Sequence, residues 1–230
     1  MTDIQKLSTK LNSISYPDTM IPINREIKGR AFFPGGNGTF NGEENISNKS
    51  VMILGQDFDC QKNFDKTLLI GHEDIEKNPT WRNILSYLSE LEVSPANCFF
   101  TNSIAGIRKG DLGTGKSPAF KNKEFIESCR TFFLYQIEIQ KPKIIFALGK
   151  YVGEFLSPTS DDLKFWNRIT NFSTIDEHDK QKITATFKNG ITSEVILLTH
   201  PSYRQANIHR RKYLNYTGNE AEIMMAKDLI

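Results

Sequence analysis

Three residues of unlike chemistry each follow a short apolar run. Asp57 comes after Val51–Leu54 in Gly55-Gln56-Asp57, Asn102 after Cys98–Thr101, and His200 after Val195–Thr199. A carboxylate only accepts hydrogen bonds, a carboxamide donates and accepts, and an imidazole does one at each ring nitrogen and titrates near neutrality. Such a set, if brought together, serves hydrogen-bond recognition and acid–base work. A second group is Gly110-Asp111-Leu112-Gly113-Thr114-Gly115-Lys116-Ser117, a literal GxxxxGK[ST]. A phosphate loop of that pattern needs a strand directly before it and a helix directly after it. Here the preceding strand ends near Asn102 and Pro118 follows at once, with no apolar run ending in a Mg²⁺-directed Asp. The segment is read as a flexible, basic surface loop with Arg108, Lys109 and Lys116, and a P-loop nucleotide-binding protein stands as an alternative.

The elements that must position these residues follow from apolar patterning. Val51–Leu54, Cys98–Thr101, Lys143–Leu148 and Val195–Thr199 have the length and the β-branched or aromatic content of buried strands. Between them, Trp81, Ile84, Leu85, Leu88 and Leu91 share one face of a helical period, as do Phe125, Ile126, Cys129, Phe132, Phe133 and Ile137. Strand alternating with helix predicts a three-layer α/β/α sandwich with a short, mainly parallel, four-stranded central sheet. Ile183–Phe187, Asn189-Gly190 and Ile191 read as a hairpin feeding the last strand, which would extend the sheet or make it mixed at that edge. Ligands of open α/β sheets bind outside the carboxyl ends of the strands, so Asp57, Asn102 and His200 are expected to meet in one crevice.

The flanks divide the chain. Ile4, Leu7, Leu11 and Ile14 predict an N-terminal amphipathic helix. Residues 16–50, with Pro34-Gly35-Gly36-Asn37-Gly38, predict a long irregular stretch. The expected division is a helix and irregular extension over 1–45 and an α/β domain over 46–230.

Composition narrows the class. The chain has 230 residues, 38% hydrophobic and 24% charged, enough for a real core without staples. No run of about 18 apolar residues spans a membrane, and Met1–Lys10 has no secretory pattern. Three widely spaced cysteines, Cys60, Cys98 and Cys129, form no disulfide framework and no metal pattern, and fit a reducing cytoplasm. Sixteen Phe exclude a disordered chain, and the balance of 29 Lys and Arg against 27 Asp and Glu, +2, excludes a histone-like mass of positive charge. Nucleic acid is then met only through local patches, at 108–116 and 204–212.

Four segments in order carry a resemblance. Gly55-Gln56-Asp57-Phe58-Asp59 follows the first strand, Asn78-Pro79-Thr80-Trp81-Arg82-Asn83-Ile84 opens a helix, Phe99-Phe100-Thr101-Asn102 ends the second strand, and Leu198-Thr199-His200-Pro201-Ser202 ends the last. Over roughly residues 50–215 this resembles the uracil-DNA glycosylase superfamily, without the four cysteines of its iron–sulfur branches. The resemblance implies a monomeric hydrolase that removes uracil or a related deaminated base from DNA, with no cofactor and no metal. The base is extracted from the stack and the sugar develops oxocarbenium character. Asp57 would stabilise that cation and orient water. His200 would donate to the oxygen of the leaving base, and Asn102 would read the base edge. Gln56, Phe58, Asp59 and Phe64 would complete the base site, Phe58 or Phe64 as its aromatic platform. Pro79, Thr80, Ser202, Tyr203, Arg204, Arg210 and Arg211 would hold DNA. A family member that binds a nucleotide or DNA without cutting is the second reading.

Departures from the family pattern are specific. Phe58 and Asp59 stand where it has proline and a thymine-excluding tyrosine. Arg204, beside Tyr203, stands where it inserts a leucine into the stack. Each residue also has a plainer role available: Asp57 as a helix cap, Asn102 as a turn residue, His200 as a satisfied strand-end histidine, and the 204–212 run as a solvated face.

Overall fold

The fold is described from a computed structural model, over residues 3–23, 50–70, 76–168 and 171–230. Asp3–Asn12 forms α1, whose Leu7 and Leu11 are buried and which packs on the long helix Lys123–Gln140. Met20–Ile21 (β1) lies within the stretch expected to be irregular, and residues 24–49 of that stretch lie outside the described residues. Then come β2 (Val51–Gly55), α2 (Gln61–Ile70), α3 (Pro79–Glu90), β3 (Cys98–Asn102) and β4 (Ile107–Arg108), which pairs with β1. The second half holds α4 (Lys123–Gln140), β5 (Ile144–Leu148), α5 (Lys150–Leu156), α6 (Phe172–Glu177), β6 (Lys182–Thr186) and β7 (Thr192–Leu198). The chain closes with α7 (Arg204–Asn207), a hairpin of β8 (Lys212–Tyr213) and β9 (Tyr216–Thr217), and α8 (Gly218–Lys227).

The central sheet has five strands in the order β3-β2-β5-β7-β6, not the four expected. The four apolar runs supply its parallel part, and the fifth strand is the first arm of the Asn189-Gly190 hairpin, added antiparallel with Thr186 opposite Thr192. Every residue of β2, β3 and β5 is buried, as strands covered on both faces must be. The side chains show the cover. Phe100 packs its ring on Trp81 of α3 at 5.2 Å, whereas its neighbour Thr101 donates to Gln136 of α4 at 2.6 Å. Successive strand residues point to opposite faces, so α3 and α4 flank the sheet on opposite sides.

Register sets what the sheet presents. Gly55 pairs with Asn102, Leu54 with Ala147, and Leu148 with Leu198. The carboxyl ends of β2, β3, β5 and β7 therefore form one edge. The chain leaves β2 for β3 on one side and later returns to β5 on the other. The switch point of the sheet lies between β2 and β5, directly under Asp57.

One buried ion cluster ties the C-terminal helix to that edge. Arg211 has no exposed side-chain surface and donates to both oxygens of Asp176 at 3.0 Å, to Glu222 at 2.8 Å and to the Leu197 carbonyl at 2.8 Å. Glu222 also accepts from Arg204 and, at 2.6 Å, from the Thr199 N–H that precedes His200. Burial raises the Asp176 carboxyl and Arg211 pulls it back down. Removing one member of a buried cluster strands the others. Arg211→Met is expected to cost about 3–5 kcal/mol and to lower the midpoint of thermal unfolding by about 6–20 °C. A midpoint within about 2 °C of the parent would mean that the cluster does not hold this end of the fold.

Candidate active site

Residues from the carboxyl edge line one cleft of about 910 Å³, which includes Asp57, Asn102, His200, Gly149, Phe64 and Trp81. Gln56 and Asp57 leave β2, Asn102 ends β3, Gly149 follows β5 and His200 follows β7. The structure thus brings together the three residues from which the sequence reading began. Phe58 and Phe64, each 5% exposed, line the same cleft.

His200 is the most fully specified of these groups. It caps a short 3₁₀ turn, Pro201–Tyr203, and its Nδ1 accepts the Ser202 N–H at 3.2 Å. The neutral ring therefore carries its proton on Nε2, which is the donor left for a ligand. Burial, with the positive charge of Arg108 second, lowers the imidazole to about 4. The neighbouring strand comes very close. Gly149 has φ +95°, and a Cβ there would lie 3.1 Å from the His200 Cβ, so only glycine fits without displacing the ring.

Asp57 is held rather than free. Its Oδ2 accepts Arg108 Nε at 2.6 Å, and both side chains are about 95% buried, at 5% and 4% exposure. Burial raises its carboxyl and Arg108 opposes that shift. Arg108, which the sequence placed on a surface loop, is therefore a buried partner of the candidate carboxylate. Its two remaining nitrogens donate to the carbonyls of Thr114 and Gly115, at 2.7 and 3.0 Å. The Gln56 side chain joins the same loop, donating to Gly115 O at 3.1 Å and accepting Ser117 N–H at 3.4 Å, so its amide pins the loop.

This arrangement does not fit the phosphate-loop alternative for residues 110–117. A phosphate loop turns N–H groups inward, whereas here two carbonyls face a buried guanidinium. The segment follows a two-residue strand, a 3₁₀ turn (Pro118–Lys121) stands after it, and Lys116 is tied to Glu154 at 2.5 Å. Its glycines serve packing: a Cβ at Gly113 would overlap the Asp59 carboxylate at 1.8 Å. Asp59, at φ 67°, accepts Cys60 N–H and the Asn63 amide, starting α2. It borders the cleft with its carboxylate already engaged.

The rim is stitched between α3 and the turn after His200. Asn78 caps α3 by accepting Thr80 N–H, and Pro79 takes the first helical position, where its missing N–H costs nothing. Thr80 Oγ1 and Ser202 Oγ share a hydrogen bond of 2.5 Å, and Asn83 donates to Pro201 O at 2.8 Å. Pro79, Thr80, Ser202, Tyr203 and Arg210 all border the cleft, and Tyr203 is 46% exposed. Two residues expected at DNA are placed otherwise. Arg211 is fully buried in the ion cluster, and Arg204 turns inward to Glu222, to Asn219 at 2.5 Å and over the Tyr87 ring at 5.3 Å. A buried carboxylate holds each guanidinium away from the rim. Among the described residues, no group of three His, Cys, Asp or Glu side chains is placed to hold a metal, and no helix is long and apolar enough to cross a membrane.

The profile of the Uracil DNA glycosylase superfamily matches residues 42–218, well over half of the chain. No curated protein matches it.

The His200 environment has a measurable consequence. The unfolded chain binds that proton near pH 6.5 and the folded chain only near 4. The contribution of His200 to stability is complete above about 6.5 and is lost as pH falls from there through about 4. In a histidine side-chain NMR titration, His200 is expected to stay neutral, with Nδ1 unprotonated, down to about pH 5. A midpoint near 6.5 would contradict this placement.

Proposed function

Because the chain belongs to the uracil DNA glycosylase superfamily, we propose that it hydrolyses the N-glycosidic bond of uracil or a related deaminated base in DNA. The observation that carries this reading is the convergence, at the switch point of the sheet, of a neutral Nε2–H donor, an oriented carboxylate and a buried carboxamide. An extruded nucleotide would place its base against Asn102, with Phe64 or Phe58 alongside. His200 would donate to the base oxygen as negative charge gathers there. A neutral Nε2–H serves this task, because a fixed donor aimed at the oxygen stabilises the charge as it develops there. Asp57 would face the sugar. With Oδ2 fixed by Arg108, its other oxygen would orient the attacking water, and the carboxylate would stabilise the oxocarbenium-like centre. Thr80 and Ser202 would meet the phosphates at the rim.

The Arg108–Asp57 pair also supports a second reading, a member that binds the altered base without cutting it. A buried cation beside the carboxylate lowers the negative potential that a developing sugar cation would feel.

One experiment separates the two. Uracil-containing single- and double-stranded oligonucleotides are incubated with the protein and free base is measured, with binding measured in parallel. Release of uracil is expected, with a loss of at least about 100-fold in kcat/KM for His200→Ala and a comparable loss for Asp57→Asn. Tight binding with no free base would select the second reading, and neither binding nor release would overturn both.

A further inference from the structure

The cleft is larger than the base site needs. Its volume of about 910 Å³ is near the upper end of the range of about 300–1,000 Å³ that encloses a whole drug-sized ligand. The cleft runs along the carboxyl edge from Asn102, which ends β3, to His200, which follows β7 three strand places away, or roughly 14 Å at about 4.8 Å per place, and it continues to residues after β5 and at the start of α6. Besides the reacting groups, the lining of the cleft holds aromatic and basic residues. Tyr151, in the first turn of α5, and Phe172, which opens α6, are both partly exposed and both line it.

Each ring carries a cation. Lys150 Nζ lies 5.1 Å from the Tyr151 ring centre. The buried Arg211 guanidinium lies 4.8 Å from that of Phe172, fixing the ring from behind. Lys66, Lys77, Lys150 and Arg210 line the same cleft, and of its three aspartates Asp57 is ion-paired and Asp59 starts a helix. Aromatic faces beside positive charge are the composition that binds unpaired nucleotides, by stacking and by contact with the backbone phosphates.

We propose that the cleft holds, next to the nucleotide being excised, one flanking nucleotide as an unpaired base stacked on Tyr151 and Phe172, with its phosphate met by Lys150 and Arg210. The proposal rests on the glycosylase reading for the identity of the ligand. In a duplex the flanking base stays paired within the helical stack and cannot reach a protein ring.

The test uses single-stranded uracil oligonucleotides in which the neighbour on one side or the other is thymidine or an abasic tetrahydrofuran. For the wild-type protein, removing the flanking base on one side is expected to lower kcat/KM at least about fivefold. Tyr151→Ala should show that loss on the intact substrate and no further loss on the abasic one, and Tyr151→Phe should retain wild-type behaviour. Phe172→Leu, checked for an unchanged melting temperature, is the second variant. An equal loss on both substrates would make Tyr151 merely structural, and no flank dependence on either side would overturn the proposal. Binding of the same oligonucleotides, read by fluorescence anisotropy, keeps the two claims apart. If no uracil is released, the glycosylase reading fails, yet single strands should still bind at least about fivefold more tightly with the flanking base than without it. Equal binding there, or tighter binding of the matching duplex, would overturn the subsite.

Discussion

Glu222 has a side chain without exposed surface, and a carboxylate in that position persists only where cations and N–H donors surround it. Meeting that demand organises much of the molecule. The Thr199 N–H that Glu222 accepts fixes the end of β7, and His200 is the next residue. Arg211 carries Asp176, and with it α6, and also backs the Phe172 ring. Arg204 is drawn off the rim, and the Tyr87 hydroxyl donates to the Glu222 carbonyl at 2.9 Å, binding α3 to α8. A charge 22 residues beyond the histidine thus fixes the wall on which that histidine stands.

A second buried charge pair governs the opposite wall. Arg108 binds Asp57 on one side and two loop carbonyls on the other. The segment from Gly110 to Ser117 therefore owes its order to the same guanidinium that orients the carboxylate. Its glycines fit that arrangement: Gly110 and Gly115 take positive φ, and Gly113 lies against Asp59. A string of residues that spells a phosphate loop is here a strap over a salt bridge, because short patterns carry chemistry only in the backbone context that aims them.

The parallel part of the sheet was legible because fully covered strands must be continuously apolar, and Val51–Leu54 or Lys143–Leu148 can hardly be anything else. The convergence of Asp57, Asn102 and His200 followed from strand ends alone. Partners of buried charges were not legible in the same way. Arg204, Arg210 and Arg211 look alike in sequence, and tertiary pairing decides which of them reaches solvent. A usable sign was Glu222, whose helical neighbours Met225 and Ala226 are apolar: a carboxylate on an apolar helix face needs a cation from elsewhere. Arg108 was hidden for the opposite reason, since neighbouring lysines made a buried residue look like part of a solvated loop. The fifth strand was readable from the Asn189-Gly190 hairpin, which was expected to extend the sheet or make it mixed at that edge, although the central sheet was expected to have four strands.

That fifth strand bears on how the sheet ends. A parallel sheet leaves two margins of unpaired main-chain groups, where another copy or another chain can add on. One margin, β3, is buried at every residue. The other is β6, whose only buried residue is Ala185, with Lys182 and Ile183 partly exposed and Thr184 and Thr186 exposed. Lys182 on it is anchored to Asp228 and Tyr213, and its Thr184 and Thr186 hydroxyls bond across to Glu194 and Thr192 of β7. A short, polar strand with a tethered lysine is a poor template for further pairing. The hairpin therefore acts as a selvedge, and the carboxyl ends of the strands remain the part of the sheet open to another polymer.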